Sequence, residues 1–313
     1  RLWVSSVDYS SDVPIGSSIL RQLSDVYRKV RNTARYLLGN LHDYDPSIHK
    51  VEVDKLPLLD RWMLDRTASF IKDASRAFED YEFSRFFQQL QSFCVSDLSN
   101  FYLDIAKDRL YVSAPDDYRR RTCQTVLSTV VENLACVISP VLCHMAEDIW
   151  QNLPYKVSQE SVFENKWPEL GSKLSDNSLS EPIAKLRELR SSVNKALEDC
   201  RSKNEIGASL QSAVRLEPKD ESLLKAINWL EVNGNVEVDI LRDWLLVSEL
   251  QIGGSPWKDL ILTETNSLTN IQIAKARGRK CDRCWHFKID VGTNTNNKMI
   301  CNRCEQILSH LND

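Results

Sequence analysis

Between residues 17 and 152 apolar side chains return every three or four positions, over stretches too long for strands. That periodicity restricts this part of the chain to packed amphipathic helices. In residues 17–39, Ile19, Leu23, Val26, Tyr27, Val30, Ala34, Leu37 and Leu38 stack on one face. Ser17 or Ser18 is placed to cap the start, and Gly39 to supply a left-handed stop. A second helix is predicted from Pro57 to about Asp80, with Pro57 in its first turn. A third covers 83–111 and carries Phe83, Phe86, Phe87, Leu90, Phe93, Leu98, Phe101 and Ile105. A fourth opens at Asp116-Asp117 and runs to 152, kinked or interrupted at Pro140. Long helices with short connections predict an antiparallel helical bundle over residues 1–170. The 9 Gly and 10 Pro in 313 residues are few enough to agree with a chain of few turns.

The Ser-rich stretch Gly171–Ser180 reads as a linker. Beyond it a helix is predicted over 181–204, with another over Lys219–Glu231. Ser209–Leu216 and Asn235–Ile240 alternate like strands, and Val247–Ile252 and Leu260–Thr263 are further strand candidates. Residues 181–272 are therefore expected to form a small α+β domain, and the fold class as a whole is mainly α.

The 9 cysteines fall into two groups. Cys94, Cys123, Cys136, Cys143 and Cys200 stand singly in helical patterns, as small buried apolar residues do. Cys281, Cys284, Cys301 and Cys304 form two Cys-x-x-Cys pairs separated by sixteen residues. Two such knuckles supply four soft thiolates from opposite sides of a loop, the set that one tetrahedral Zn²⁺ prefers. Iron held by the same four sulfurs is the alternative. A closed four-sulfur shell leaves no place for a reacting water, so the ion would be structural. Residues 275–313 are then a zinc-binding tail. His286 adjoins the second thiol, but the shell is complete without it, and it is expected to be a surface or stacking side chain.

With 40 Lys and Arg against 44 Asp and Glu, the formal charge is −4, so any nucleic-acid binding must come from local patches. Two patches stand out. Arg21, Arg28, Arg31 and Arg35 fall within about 80° of arc on the 17–39 helix, opposite its apolar stripe. Asn32 lies beside them, with Tyr27 and Tyr36 near the edges. A cationic stripe edged by aromatics suits a phosphate backbone and exposed bases. A solvated outer face is the alternative. Lys275, Arg277, Arg279, Lys280, Arg283 and Lys288 surround the first knuckle, with Trp285 and Phe287 interleaved. Aromatics among cations can stack unpaired RNA bases, or Trp285 can serve as a small core for the knuckle. No uncharged apolar run reaches membrane-spanning length. There is no Gly-x-Gly-x-x-Gly, Walker, Gly-x-Ser-x-Gly or His-Glu-x-x-His pattern, and no catalytic residue is assigned.

Several segments together resemble bacterial-type isoleucyl-tRNA synthetases. They are Arg1–Tyr9, Val26–Thr33 with Leu38-Gly-Asn40, Val95–Ile105, Lys107–Tyr111, Ala146–Trp150, Glu188–Glu198 and Lys280-Cys-Asp-Arg-Cys-Trp-His286. The bundle segments are shared with valyl and leucyl relatives; the Cys-x-x-Cys-Trp-His knuckle points to the isoleucyl family. The resemblance implies an anticodon-binding bundle, a junction domain and a zinc-bearing tail reaching the anticodon region. It makes Arg28, Arg31, Asn32 and Arg35 candidate tRNA contacts, then Lys107 and Arg109, and in the tail Arg283, Trp285 and Arg303. The family's HIGH and KMSKS signatures do not occur in these residues. With the Met-less start, that implies the C-terminal part of a ligase whose ATP and isoleucine sites lie in an absent catalytic domain. A monomer that binds isoleucine tRNA and no membrane is expected, in a bacterial cytoplasm or in an organelle importing such an enzyme. The rival reading is a stand-alone zinc-containing nucleic-acid-binding module, because formamidopyrimidine-type DNA glycosylases end in a similar finger. Those enzymes need an N-terminal proline nucleophile, and the earliest proline here is Pro14.

Overall fold

The computed structural model describes residues 1–170, 176–293 and 297–310. The chain divides into two compact units, residues 1–110 with 115–176, and residues 111–114 with 177–313.

The first unit is helical. Its long elements are α2 (Ser17–Gly39), α4 (Leu58–Glu79), α5 (Phe83–Ser92), α6 (Leu103–Val112, whose last two residues fall in the second unit), α7 (Tyr118–Ile138) and α8 (Cys143–Gln151). The single turns α1 (Leu2–Ser5) and α3 (Pro46–His49) lie between them in sequence. The bounds of α2 are those the periodicity predicts, but its ends are made differently. Its N-cap is Gly16, without a side-chain cap, and neither Ser17 nor Ser18 caps it. Its stop is Asn40, whose amide donates to the Tyr36 carbonyl at 2.8 Å; Gly39 is still helical and not left-handed. Pro57 stands at the N-cap of α4 rather than inside its first turn. Pro140 separates α7 from α8, as expected of a residue that cannot donate to the helix ladder.

The third predicted helix is continuous from Phe83 but not uniform. Residues Phe93–Tyr102 between α5 and α6 are π-helical, and the Leu103 amide donates back to the Leu98 carbonyl, five residues away. A wider turn rotates the following side chains relative to an α-helix, and here it seats aromatics on α4. Phe93 stacks on Phe70 with centroids 4.4 Å apart, and Phe101 meets Trp62 edge-on at 5.1 Å. Val30, Ala34 and Leu37 of α2 are fully or almost fully buried. Burying a side chain such as Leu37 contributes roughly 1.5–3 kcal/mol.

In the second unit α9 (Asn177–Ser202) leads to a four-stranded sheet. Its strands are β1 (Ser212–Pro218), β2 (Glu249–Ile252), β3 (Leu262–Thr265) and β4 (Thr269–Lys275), in the order β2-β1-β4-β3. Strand β1 runs parallel to β2 and antiparallel to β4, in register Val214 to Ile273 and Leu216 to Ile271. Between strands lie α10 (Glu221–Asn233), capped by Asp220, and the single turn α11 (Leu241–Trp244). The helix after the linker starts at Asn177, earlier than predicted, with Pro182 tolerated near its start. Residues 171–175 of the predicted linker and 294–296 of the loop between the cysteine pairs lie outside the described residues.

Asn235–Ile240 is a turn and not the predicted strand. The Asn235 side chain accepts from the Glu237 amide, and Asp239 accepts from the Asn235 amide, so local side-chain bonds replace a ladder. Strand β4 has no counterpart among the predicted strands, although Thr269, Ile271 and Ile273 alternate inward along it. The hairpin β5 (Arg279–Lys280) and β6 (Phe287–Lys288) then carries the first cysteine pair, and α12 (Asn302–His310) carries the last cysteine.

Candidate nucleic-acid interface and metal centre

The four cysteines converge. Their Sγ atoms all lie within 4.8 Å of one another, and all four residues are buried. Sulfurs held at about 2.3 Å around one tetrahedral ion would be about 3.8 Å apart. The Cys284 and Cys301 sulfurs are separated by 3.8 Å. The knuckle is shaped by backbone bonds: the Trp285 amide donates to the Cys281 carbonyl and the Cys281 amide to the His286 carbonyl. The Cys301 amide donates to the Cys281 sulfur at 3.3 Å, a bond that favours thiolate.

Hydrogen bonds from the neighbouring thiols Cys301 and Cys304 put Cys284 well below the usual thiol range. The same bonds to Cys284 push Cys301 up to about 11 and Cys304 well above the thiol range. Four sulfurs this close compete for the same protons, and a divalent cation removes the competition. The donor set therefore fits one structural zinc. His286 is not a surface residue as expected: it is buried, with Nδ1 3.2 Å from the Cys284 carbonyl oxygen.

Three residues of the tip hold left-handed backbone: Gly278, Trp285 and Gly292, the last with φ +98°. Gly278 has φ +87°, and a Cβ there would come within 2.2 Å of the Lys288 carbonyl oxygen, so glycine is required. Trp285 has φ +65°, uncommon for so bulky a residue. Its indole is 61% exposed, with Lys280 Nζ 5.3 Å from the ring centroid. That exposure answers one sequence-level alternative, because Trp285 does not bury itself as the knuckle's core. Arg283 and Arg303 are half-buried. Arg277 is tied to Glu249 by two bonds of 2.8 and 2.6 Å. Burial pushes the Glu249 carboxyl up, but the hydrogen bonds and charge of Arg277 hold it below the usual carboxylate range.

On α2 the predicted stripe is solvent-facing: Arg21, Arg28, Arg31, Asn32 and Arg35 are all exposed. Arg28 pairs with Asp25 at 3.0 Å, an acidic neighbour one turn upstream. The stripe is the crest of a ridge between two grooves. One, of about 440 Å³, brings Asn32 together with Lys29, Tyr36, Ser99, Asn100 and Lys107. Ser99 and Asn100 come from the π-helical segment, a kind of turn often found at functional sites. Lys107 also reaches Asp104 at 2.7 Å. The other groove, of about 910 Å³, holds Arg31 and Arg35 with Tyr27, and His144, Asp148 and Asn152 from α8 and its C-cap. The sequence reading missed these three α8 residues. Their four-residue spacing marked a polar line, but nothing in it said that α8 would lie alongside α2.

Arg109 departs from its predicted role. It is 3% exposed and forms two bonds to the fully buried Asp60, of 2.9 and 2.5 Å. Tyr102 donates to the same carboxylate at 2.7 Å, and Arg109 also donates to Thr122 and to the Arg119 carbonyl. A guanidinium so fully engaged belongs to the core and is not offered to a phosphate. Its neighbours Ile105, Ala106 and Leu110 already placed it on an apolar arc.

A helical unit with a cationic ridge, and a second unit ending in a four-thiolate tip, match known proteins in both parts. The chain belongs to the family described as the anticodon-binding domain of tRNA ligases, which it matches over residues 60–216, half of its length. The tip matches the family described as the zinc finger found in FPG and IleRS, over residues 278–307. The match to two such modules in one chain does not favour a stand-alone zinc module. The α2 ridge precedes the first matched range.

Among individual proteins, the chain is 61% identical over 310 residues to an isoleucine--tRNA ligase of Prochlorococcus marinus strain MIT 9313. It is likewise 61% identical over 308 residues to one of Synechococcus sp. strain CC9311. These alignments cover 99% and 98% of the chain but 32% of each relative, so it spans about a third of their length. Among the described residues, no helix is long and apolar enough to cross a membrane.

Proposed function

We propose that this chain is the tRNA-recognition region of an isoleucine--tRNA ligase. The parent enzyme attaches isoleucine to its tRNA at the expense of ATP. The bundle, residues 1–170, supplies the anticodon-binding surface, the α+β region 181–272 the junction, and residues 275–313 the metal-held tip. The observation that carries the reading is the exposed ridge of α2, with Arg31 and Arg35 free of ion pairs among the described residues and an aromatic at each edge. Guanidinium groups on a crest can follow a phosphate backbone while tyrosines beside them stack bases turned out of the strand.

In this reading Arg28, Arg31, Asn32, Arg35 and Lys107 contact tRNA from the bundle, and Arg283, Trp285 and Arg303 from the tip. Cys281, Cys284, Cys301 and Cys304 ligate one structural zinc that sets the backbone carrying Trp285. The chain works as a monomer. The cyanobacterial relatives support a bacterial cytoplasm as its setting, an importing organelle being the other expectation. The purified chain should bind isoleucine tRNA more tightly than a damaged DNA duplex, and should show no ATP–pyrophosphate exchange. Measurable exchange would contradict the assignment of ATP and isoleucine to a separate domain.

A further inference from the structure

The larger groove beside α2 contains a group that a phosphate track does not need. Asp148 stands in its wall between His144 and Asn152, sharing the groove with Tyr27, Arg31 and Arg35, and all six residues are exposed. Two guanidinium groups line the same space, yet among the described residues Asp148 makes no ion pair. Its polar contacts come from the Asn152 amide, 2.8 Å from its backbone carbonyl and 3.4 Å from Oδ1. On the face proposed to bind RNA, a carboxylate without a cationic partner repels phosphate and is suited instead to accept from N–H donors.

The bases differ in what they offer to two carboxylate oxygens. Guanine presents N1–H and the N2 amino group side by side. Adenine and cytosine each present one amino group next to a ring acceptor. Uracil presents one N–H between two carbonyl oxygens that would face the carboxylate unfavourably. A paired donor edge meeting a carboxylate gives two parallel charge-assisted bonds, the stronger and more selective arrangement. Tyr27 offers a ring for stacking at the groove's edge, Arg31 and Arg35 remain for the flanking phosphates, and His144 can donate to the guanine O6.

We infer that this groove takes one unstacked guanine of single-stranded RNA, with Asp148 reading its N1–H and N2 amino group as a specificity-determining residue. The inference rests on the tRNA-binding reading above and adds to it the base that is read and the residue that reads it.

Inosine is guanine without the N2 amino group, so it deletes one of the two donors and changes little else. The test titrates the zinc-loaded 313-residue chain with isoleucine tRNA transcripts in which each unpaired guanine is replaced in turn by inosine. At one position the replacement should weaken binding roughly tenfold. Asp148→Asn should weaken binding of the unmodified transcript by a similar factor, and inosine at that position should then cost it almost nothing further. Because Asp148 is exposed, the variant should keep the zinc content and melting temperature of the parent. The inference is overturned if inosine is neutral at every position, or if Asp148→Asn weakens guanine and inosine transcripts equally. Either result leaves tRNA binding standing. A parent chain with no preference for this tRNA over an unrelated one would overturn both.

Discussion

The helical unit and the cysteine tip both present cations and aromatics to solvent, but they hold them in place by opposite means. The bundle rests on many large buried side chains, among them Trp62, Phe70, Phe86, Phe93 and Leu37. It also buries a polar network, Asp60 with Arg109, Tyr102 and Thr122. The tip has a thin core: beside its four cysteines, Val112, Val291 and Ile300 are buried, and Ile307 and Leu308 only partly so. A segment of this size seldom folds on apolar burial alone. It also carries three left-handed residues, Gly278, Trp285 and Gly292, and of these the non-glycine Trp285 is the one whose conformation something must hold. In the proposed reading Trp285 is presented by a metal-held backbone, whereas Arg31 and Arg35 stand on a packed helix.

The largest effect should separate the two regions completely. Cys281→Ser removes one thiolate from a site whose metal is worth roughly 10–16 kcal/mol of folding. The tip should unfold and lose its zinc while the helical signal and melting of the bundle persist. Stoichiometric zinc retained in the variant would break the four-thiolate account. The converse change is Asp60→Ala, which leaves Arg109 buried and uncompensated and should cost the bundle about 3–5 kcal/mol in urea unfolding. Zinc content should not change. Loss of zinc in that variant would mean that the two regions are not held independently.

A smaller, pH-dependent effect belongs to the bundle alone. Burial pushes the Asp43 carboxyl upward, but hydrogen bonds from Arg120 and Gln124 and the charges of Arg120 and Arg121 outweigh it and hold it down to about 2. A folded value below the ordinary 3.8 stabilises the folded state above that pH, and the gain is lost as pH falls toward 2. Asp43→Asn should therefore be less stable than the parent at pH 6, by on the order of 1–2 kcal/mol. The two proteins should converge near pH 2, as thermal melts across that range would record. A constant difference at all pH values would assign the loss to packing. The smallest change concerns the ridge. Arg31→Ala should leave stability untouched and reduce the salt slope of tRNA binding by about 0.7, the release expected for one phosphate on a single strand. An unchanged slope would make this arginine a merely solvated one.

What could be read from the sequence follows the same division. Long apolar periods fixed the helices of the bundle to within a few residues, because burial on one face is a strong and repeated signal. Short elements were misread where local chemistry competes. Val236, Val238 and Ile240 alternate like a strand, yet Asn235 and Asp239 close a turn around them and leave Val236 85% exposed. The π-helical widening at Phe93–Tyr102 leaves no mark in an apolar pattern, so the groove that unites Asn32 with Lys107 could not be foreseen. The cysteine spacing was sufficient to bring four sulfurs together, since few other arrangements satisfy two such pairs. The burial of Arg109 is legible in its neighbours Ile105, Ala106 and Leu110, because its position on their apolar arc outweighs its charge.

The most direct test of the central claim is a binding titration of the zinc-loaded chain, with isoleucine tRNA and an unrelated tRNA compared at several salt concentrations. Tighter binding of the isoleucine tRNA at every salt concentration, reduced when zinc is chelated, is the predicted result. Equal affinity for the two RNAs would contradict it.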